Sequence, residues 1–241
     1  LIFKAACLEI LAGGWTCLLG RSGVGKTTIL KLIAGLDEHI SFTGDISSSD
    51  AMPLAGRIAL MSQTDNLLPW LSVRGNVMLG SRMRREHGQS DQADALIERV
   101  GLTEFSDRKP HTLSGGMRQR VALARTLMED RPIMLLDEPF SALDAGLRAE
   151  MQELAAELFA EKTVLLITHD PAEAARMGDR LYLMTGGGIE DLKAILKILP
   201  TVDKVSPEIE LKTTIIQSAK LEKAKAIGVT ITSDFPSLIF S

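Results

Sequence analysis

Lys26 and Thr27 stand near the end of a nine-residue run, Gly20 to Thr28 (GRSGVGKTT), whose composition suits the holding of a phosphate. Gly20, Gly23 and Gly25 keep side chains out of an anion's way, so that the N–H groups of this loop, through Arg21, Ser22 and Val24, can turn toward it. A lysine at the start of a helix opposes the helix dipole unless an anion is present, so Lys26 has no packing reason to be there. Its ammonium suits the β and γ oxygens of a nucleotide, and the Thr27 hydroxyl, followed by Thr28, suits Mg²⁺. Two further stretches carry chemistry. Asp137 and Glu138 end an apolar run, Ile133 to Leu136, and Ser114-Gly115-Gly116 (in LSGGMRQR) forms a turn opening a helix, a second place for backbone N–H groups to meet phosphate.

These groups need elements to position them. CLEIL and WTCLLG read as two strands around the Gly13-Gly14 turn, the second running straight into the phosphate loop. Ile29, Leu32, Ile33 and Leu36 have the spacing of one buried helix face, closed by Asp37, so strand, loop and helix make the first unit of a parallel sheet. Arg57 to Ser62 is another strand, with Gln63 just past it. From about Pro69 to Arg108 the chain turns helical and polar, with Gln92 to Val100 amphipathic and Arg82, Arg84 and Arg85 on a solvated helix face. Ser114 caps a helix to about Met128, Ile133 to Leu136 is a buried strand, and a helix runs from Ala145 to about Ala160. Thr163 to Thr168 is a strand ending at His169-Asp170, and Leu181 to Met184 precedes the turn Gly186-Gly187-Gly188. A fully apolar strand before His169 brings it out at the sheet edge where open parallel sheets place ligands.

With GRSGVGKTT, LSGGMRQR and IMLLDEPFSALD in this order, residues 3 to 188 resemble the ATP-binding cassette family, the nucleotide-hydrolysing subunits of ABC transporters. The resemblance implies an α/β fold, a P-loop NTPase with a mainly parallel sheet core, an antiparallel β part at the N-terminus and an inserted α-helical subdomain at about 69–130. It implies ATP and Mg²⁺ as cofactors, with Asp137 and Gln63 joining Thr27 at the metal. Glu138 becomes the general base that polarises the attacking water, Gln63 the sensor of the γ-phosphate, and His169 the switch that links γ-phosphate to the catalytic carboxylate. Ser114, Gly115 and Gly116 are then expected to close over the nucleotide held by Lys26 of a second ATPase subunit, head to tail, with Asp144 crossing the interface. QTDNLLPWLSVRGNV resembles the importer branch serving nitrate, sulfonates, taurine and thiamine pyrimidine precursors. Membrane permease subunits, and through them a substrate-binding protein, are the implied partners, on the cytoplasmic side of the bacterial inner membrane. Leu67-Leu68-Pro69-Trp70-Leu71 is either subdomain core or a docking groove for a partner helix.

Bulk properties agree with such a subunit. The 241 residues can bury an ample core, and 45% hydrophobic with 24% charged residues is ordinary for a globular protein. A net charge of −4 supplies no electrostatic footprint for nucleic acid, and no run reaches the ~18 apolar residues of a membrane span. Cys7 and Cys17 flank a turn where adjacent strands would let them face each other, and buried free thiols are expected. The first residue is Leu, which points to a fragment. The family's adenine-stacking aromatic lies well upstream of the phosphate loop, only 19 residues precede Gly20, and neither Phe3 nor Trp15 has its spacing.

Composition changes after Gly188. Residues 1–188 hold 15 Arg and 5 Lys, whereas residues 189–241 hold 7 Lys, no Arg and 9 Ile. This contrast suggests a tail foreign to the cassette, from a fusion, a frameshift or an assembly artefact, with a divergent accessory segment as the other reading. Within it, Asp191 to Leu199 and Ser218 to Ile227 are candidate helices and Val229 to Ile231 is strand-like. The favoured function is the energising ATPase of an importer. The alternatives are a truncated or chimeric nucleotide-binding module without transport activity and a non-transport cassette.

Overall fold

The computed structural model describes residues 7–36, 40–86, 88–185, 188–191, 229–232 and 239–240. In chain order the elements are β1 (Cys7–Ile10), β2 (Trp15–Gly20), α1 (Lys26–Ala34), β3 (Ile40–Ser41), β4 (Asp45–Ser48), β5 (Ile58–Met61), α2 (Val73–Val77), α3 (Leu79–Met83), α4 (Ser90–Arg99), α5 (Gly115–Met128) and β6 (Ile133–Asp137). There follow α6 (Ala145–Leu158), β7 (Thr163–Thr168), α7 (Pro171–Met177), β8 (Arg180–Thr185), β9 (Gly188–Asp191), β10 (Val229–Thr232) and β11 (Ile239–Phe240). The chain divides into two compact units. One comprises residues 1–58, 132–137 and 160–241, and the other residues 59–131 and 138–159.

The first unit is built on a sheet with β6, β7, β2, β8 and β9 in that order. β6, β7, β2 and β8 run parallel, and β9 returns antiparallel to β8. Every residue of β6 and of β7 is buried, which is the reason these strands read as unbroken apolar runs rather than alternating ones. Ile29, Leu30 and Ile33 form the buried side of α1, which packs against β6. This helix ends two residues earlier than its apolar spacing predicts. Gly35 takes φ 67° and its N–H closes onto Leu32 O, so Leu36 falls outside the helix and is 62% exposed. Asp37 lies outside the described residues.

A three-stranded antiparallel sheet in the same unit has the order β1, β10, β4. Its middle strand comes from the far end of the sequence and pairs on both sides, Leu8 with Ile231 and Ile231 with Ile46. This corrects the reading of Cys7–Leu11 and Trp15–Gly20 as facing strands around one turn. β1 joins the antiparallel sheet and β2 the parallel one, so Cys7 is exposed, Cys17 is buried, and both are free. Val229 and Ile231 are buried as strand residues, and β9 carries sheet structure past Gly188 to Asp191. The candidate helix at 218–227 and residues 192–199 of the other lie outside the described residues.

In the second unit, α2, α4 and α5 pack on one another around Val77, Ile97, Val100 and Val121, all buried. Asn76, also buried, binds three carbonyls through Nδ2 (Leu68, Leu71 and Ser72) and accepts from Leu68 N–H at 2.8 Å. That satisfies a loop which has no ladder of its own. Among the basic cluster, Arg82 is exposed near the end of α3, whereas Arg84 and Arg85 follow that helix. Arg84 pairs with Glu86 at 2.7 Å and with Glu129, so Arg82 keeps its place on an exposed helix face while Arg84 ties the loop that follows.

Candidate active site

In the first unit, the C-terminal ends of β2, β6 and β7 lie along one edge of the sheet. Leu19 pairs with Thr168 and Ile167 with Asp137, so the loop after β2, the carboxylate ending β6 and His169 after β7 leave the sheet together. The three glycines of the loop serve different ends. A side chain on Gly20 would place Cβ 2.6 Å from Met184 O, so this glycine is required for packing against β8. Gly25 caps α1 at φ 103°, a backbone that L side chains rarely adopt, and no side chain caps the helix start. The first N–H groups of α1 therefore carry their partial positive charge outward with no acidic residue in the first turn.

Lys26 is 5% exposed, and its Nζ donates to Gly20 O at 2.7 Å and Arg21 O at 3.0 Å, curling the loop around the ammonium. Arg21, Ser22 and Gly23 are exposed and Val24 and Thr28 half-buried, which leaves the outer rim of the loop to solvent. Thr27 donates through Oγ1 to Asp137 Oδ2 at 2.7 Å. This contact joins residues 110 positions apart and brings the loop hydroxyl to the acidic strand end. His169 is exposed, and the next residue, Asp170, caps α7 through Oδ1.

In the second unit Glu138, next in the chain after Asp137, is buried at 8% and has φ 49°. A bulky residue in this left-handed region persists only where its surroundings hold it. Gln63, expected here from its place just past β5, donates through Nε2 to Glu138 Oε2 at 3.3 Å. A cleft of about 420 Å³ opens beside them, lined by Gln63, Asp65, Gly115, Arg118, Gln119 and Ser141 among others. Arg118 spans from Asp65 at 2.8 Å to Leu113 O at 2.9 Å, tying the start of α5 to the segment after Gln63.

Ser114 caps α5, with Oγ accepting from Met117 N–H at 3.2 Å. Acceptance leaves the hydroxyl hydrogen for another acceptor. Gly116 sits where a Cβ would press on Leu143 at 3.3 Å and Ala142 O at 3.4 Å, whereas a Cβ on Gly115 would meet Arg118 Nη2 only at an ordinary 3.9 Å. Asp144 caps α6 in the same manner, accepting from Leu147 N–H at 3.0 Å, and is exposed. The apolar stretch after Gln63 divides: Leu67 is buried, and Trp70 is 67% exposed. Sequence reasoning missed Gln119, a buried amide that donates to Glu138 O at 3.0 Å and accepts from Ala142 N–H at 2.9 Å. A polar residue among the buried positions of an amphipathic helix is the signal that could have singled it out.

Among the described residues no helix is long and apolar enough to cross a membrane. Residues 3–141 match the family model described as ABC transporter. An uncharacterized ABC transporter ATP-binding protein of Haemophilus influenzae is 41% identical over 201 residues, covering 83% of this chain and 82% of that protein. The aliphatic sulfonates import ATP-binding protein SsuB 1 of Rhodococcus jostii is 45% identical over 184 residues, 76% of this chain and 72% of its own length. The thiamine import ATP-binding protein ThiQ of Haemophilus influenzae is 39% identical over 193 residues, 77% of this chain and 90% of that protein. Among solved structures, a dimeric bacterial ABC transporter cassette aligns with TM-score 0.67 and 31% identity over 79% of this chain and 90% of the other. A post-hydrolysis state of that cassette, bound to ADP and Pi, aligns with TM-score 0.66 and 30% identity over the same shares. The phosphate loop, the Ser-Gly-Gly turn and the acidic strand end all fall within the matched region, and the chain belongs to the ABC transporter family as an ATP-binding cassette with the P-loop NTPase fold and ATPase activity.

Proposed function

We propose that this ATPase energises a bacterial importer of a small molecule, working as one of two cassettes joined head to tail on the cytoplasmic side of the inner membrane. The observation that carries the reading of the site is the Thr27 to Asp137 contact at 2.7 Å, because it unites the phosphate loop with the acidic strand end. A hydroxyl and a carboxylate are hard oxygen donors and fit Mg²⁺, so Thr27 and Asp137 are the residues that would hold it. Bound there, the ion supplies positive charge to the phosphate oxygens.

Lys26 and the N–H groups of residues 20–28 bind the β- and γ-phosphates. Glu138 takes a proton from water as the water oxygen attacks the γ-phosphorus, the bond to the β-γ bridging oxygen breaks, and ADP leaves with the electron pair. Gln63 orients the Glu138 carboxylate, and His169 answers to the γ-phosphate. Ser114, Gly115 and Gly116 serve the nucleotide of the second cassette, with Asp144 at the interface. ATP then stabilises the closed pair more than ADP does, and that difference in affinity sets the motion available for transport.

The names of SsuB and ThiQ relatives support the importer assignment, with a permease and a substrate-binding protein as partners. Exposed Trp70, in the segment that follows Gln63, supports a permease contact in that loop. Glu138→Gln removes the proton acceptor while keeping the shape, so steady-state ATP hydrolysis is expected to fall by about 10²-fold or more. ATP binding should persist in that variant, and chelation of Mg²⁺ should abolish turnover of the parent protein. Undiminished turnover in Glu138→Gln would remove the base assignment.

A further inference from the structure

Gln119 is the fifth residue of α5, and both ends of its amide are used. Nε2 donates to Glu138 O at 3.0 Å and approaches Ser141 Oγ at 3.4 Å, while Oε1 accepts from Ala142 N–H at 2.9 Å. The Glu138 carbonyl also accepts from Ser141 Oγ at 3.0 Å and from Ser141 N–H at 3.3 Å. Three donors thus converge on the carbonyl of the one residue in this loop held at positive φ, 49°. A side chain leaves Cα in a direction set by φ and ψ, so whatever holds the Glu138 backbone also aims its carboxylate.

We infer that Gln119 is a positioning residue for catalysis: its amide staples the left-handed Glu138 backbone to α5, so that the helix beginning at Ser114 fixes where the Glu138 carboxylate points. This inference rests on the reading of Glu138 as the base. The chemistry selects glutamine. A buried position that must donate to one backbone carbonyl and accept from one backbone N–H needs a group that is both donor and acceptor, neutral, and long enough to bridge them. Leucine matches its bulk and makes neither bond. Glutamate keeps an acceptor for Ala142 N–H and, when ionised, sets a second acceptor against the Glu138 carbonyl. At 7% exposure, Gln119 has little solvent to replace a lost bond. Gln63 approaches Glu138 from the other end, at the carboxylate, so the base is gripped at backbone and side chain by two different amides.

The test uses the full chain with Gln119→Leu, Gln119→Glu, Ser141→Ala, Glu138→Gln and the double variant Glu138→Gln/Gln119→Leu. It measures kcat and KM for ATP, single-turnover rates, and the Kd of a non-hydrolysable ATP analogue. A displaced base loses rate without losing substrate affinity, so kcat is expected to fall about tenfold or more in Gln119→Leu and Gln119→Glu, with KM and Kd within about twofold of the parent. Ser141 is exposed and supplies the parallel bond, so Ser141→Ala tests the same carbonyl without a burial change and should lower kcat about threefold, again at constant KM. Adding Gln119→Leu to Glu138→Gln should cause no further loss, because a residue acting through the base has nothing left to position.

Inactive Glu138→Gln beside Gln119→Glu and Ser141→Ala variants with parental kcat overturns the inference and leaves the base reading intact. The same factor lost in both backgrounds overturns it too, since Gln119 would then act independently of Glu138. Undiminished turnover in Glu138→Gln overturns the base reading first, and the inference with it.

Discussion

Lys26 illustrates how a single side chain is prepared for a ligand. Its ammonium is nearly buried, and the carbonyls of Gly20 and Arg21 accept from it, which curls the loop around the one position where it sits. An anion bound beside so buried an ammonium would be little screened by water. Lys26→Ala removes the charge and two hydrogen bonds that shape the loop. At about 1.5–3 kcal/mol for a charge-assisted hydrogen bond, ATP affinity should weaken by about 10- to 100-fold, read as Kd by isothermal titration. Retention of parental affinity in a folded Lys26→Ala protein would show that the loop binds phosphate through its N–H groups alone. Glu138 is prepared differently, through an unfavourable backbone conformation that neighbouring donors hold in place.

At the scale of elements, the antiparallel sheet depends on a strand from the far end of the chain. Among the described residues β10 is the strand that pairs with both β1 and β4, so its loss leaves two edges without a ladder. Val229 and Ile231 are also buried there, at 0% and 6% exposure. Ending the chain at residue 228 is therefore expected to cost about 3–6 kcal/mol, from roughly 1.5–3 for each buried side chain, measured by urea denaturation. Ile231→Asp should lower stability in the same direction without shortening the chain, because it buries an unpaired charge. Unchanged midpoints in both would mean that β10 adds nothing to the sheet. The composition contrast that sets residues 189–241 apart is real, yet β9 and β10 are both structural strands of the first unit. Helix caps at α5 and α6 carry a related lesson: Ser114 and Asp144 each fix a helix start and stand exposed, so one side chain can serve both folding and recognition.

For the whole molecule, the proposed pairing has a direct consequence. If Ser114 and its glycines close over the nucleotide of a second cassette, ATP stabilises the pair by mass action, and a hydrolysis-deficient variant accumulates it. Light scattering after size exclusion should find Glu138→Gln dimeric with ATP and monomeric with ADP. Ser114→Arg, which places bulk on an exposed helix cap, should abolish the dimer while leaving the ATP affinity of the monomer, measured at a concentration too low for pairing, within about twofold, since Lys26 is untouched. A strictly monomeric protein with full turnover would sink the composite site.

The motif residues and most elements were legible in the sequence because their causes are local. WTCLLG, TVLLIT and the helix capped by Ser114 occupy the spans that their apolar pattern and caps predict. Glycine, lysine and hydroxyl at fixed spacing specify a phosphate loop through backbone geometry alone. Long-range pairing was not legible. A four-residue strand such as Val229–Thr232 matches many partners in pattern, and the choice between them is made by burial of Val229 and Ile231 against residues more than 180 positions away. The same holds for Cys7 and Cys17, which a short turn separates and two different sheets divide. Gln119 belongs with these. Its type and place in LSGGMRQR are evident in the sequence, but only the tertiary structure brings its amide to the Glu138 carbonyl, because that contact depends on where α5 lies against the turn that follows β6.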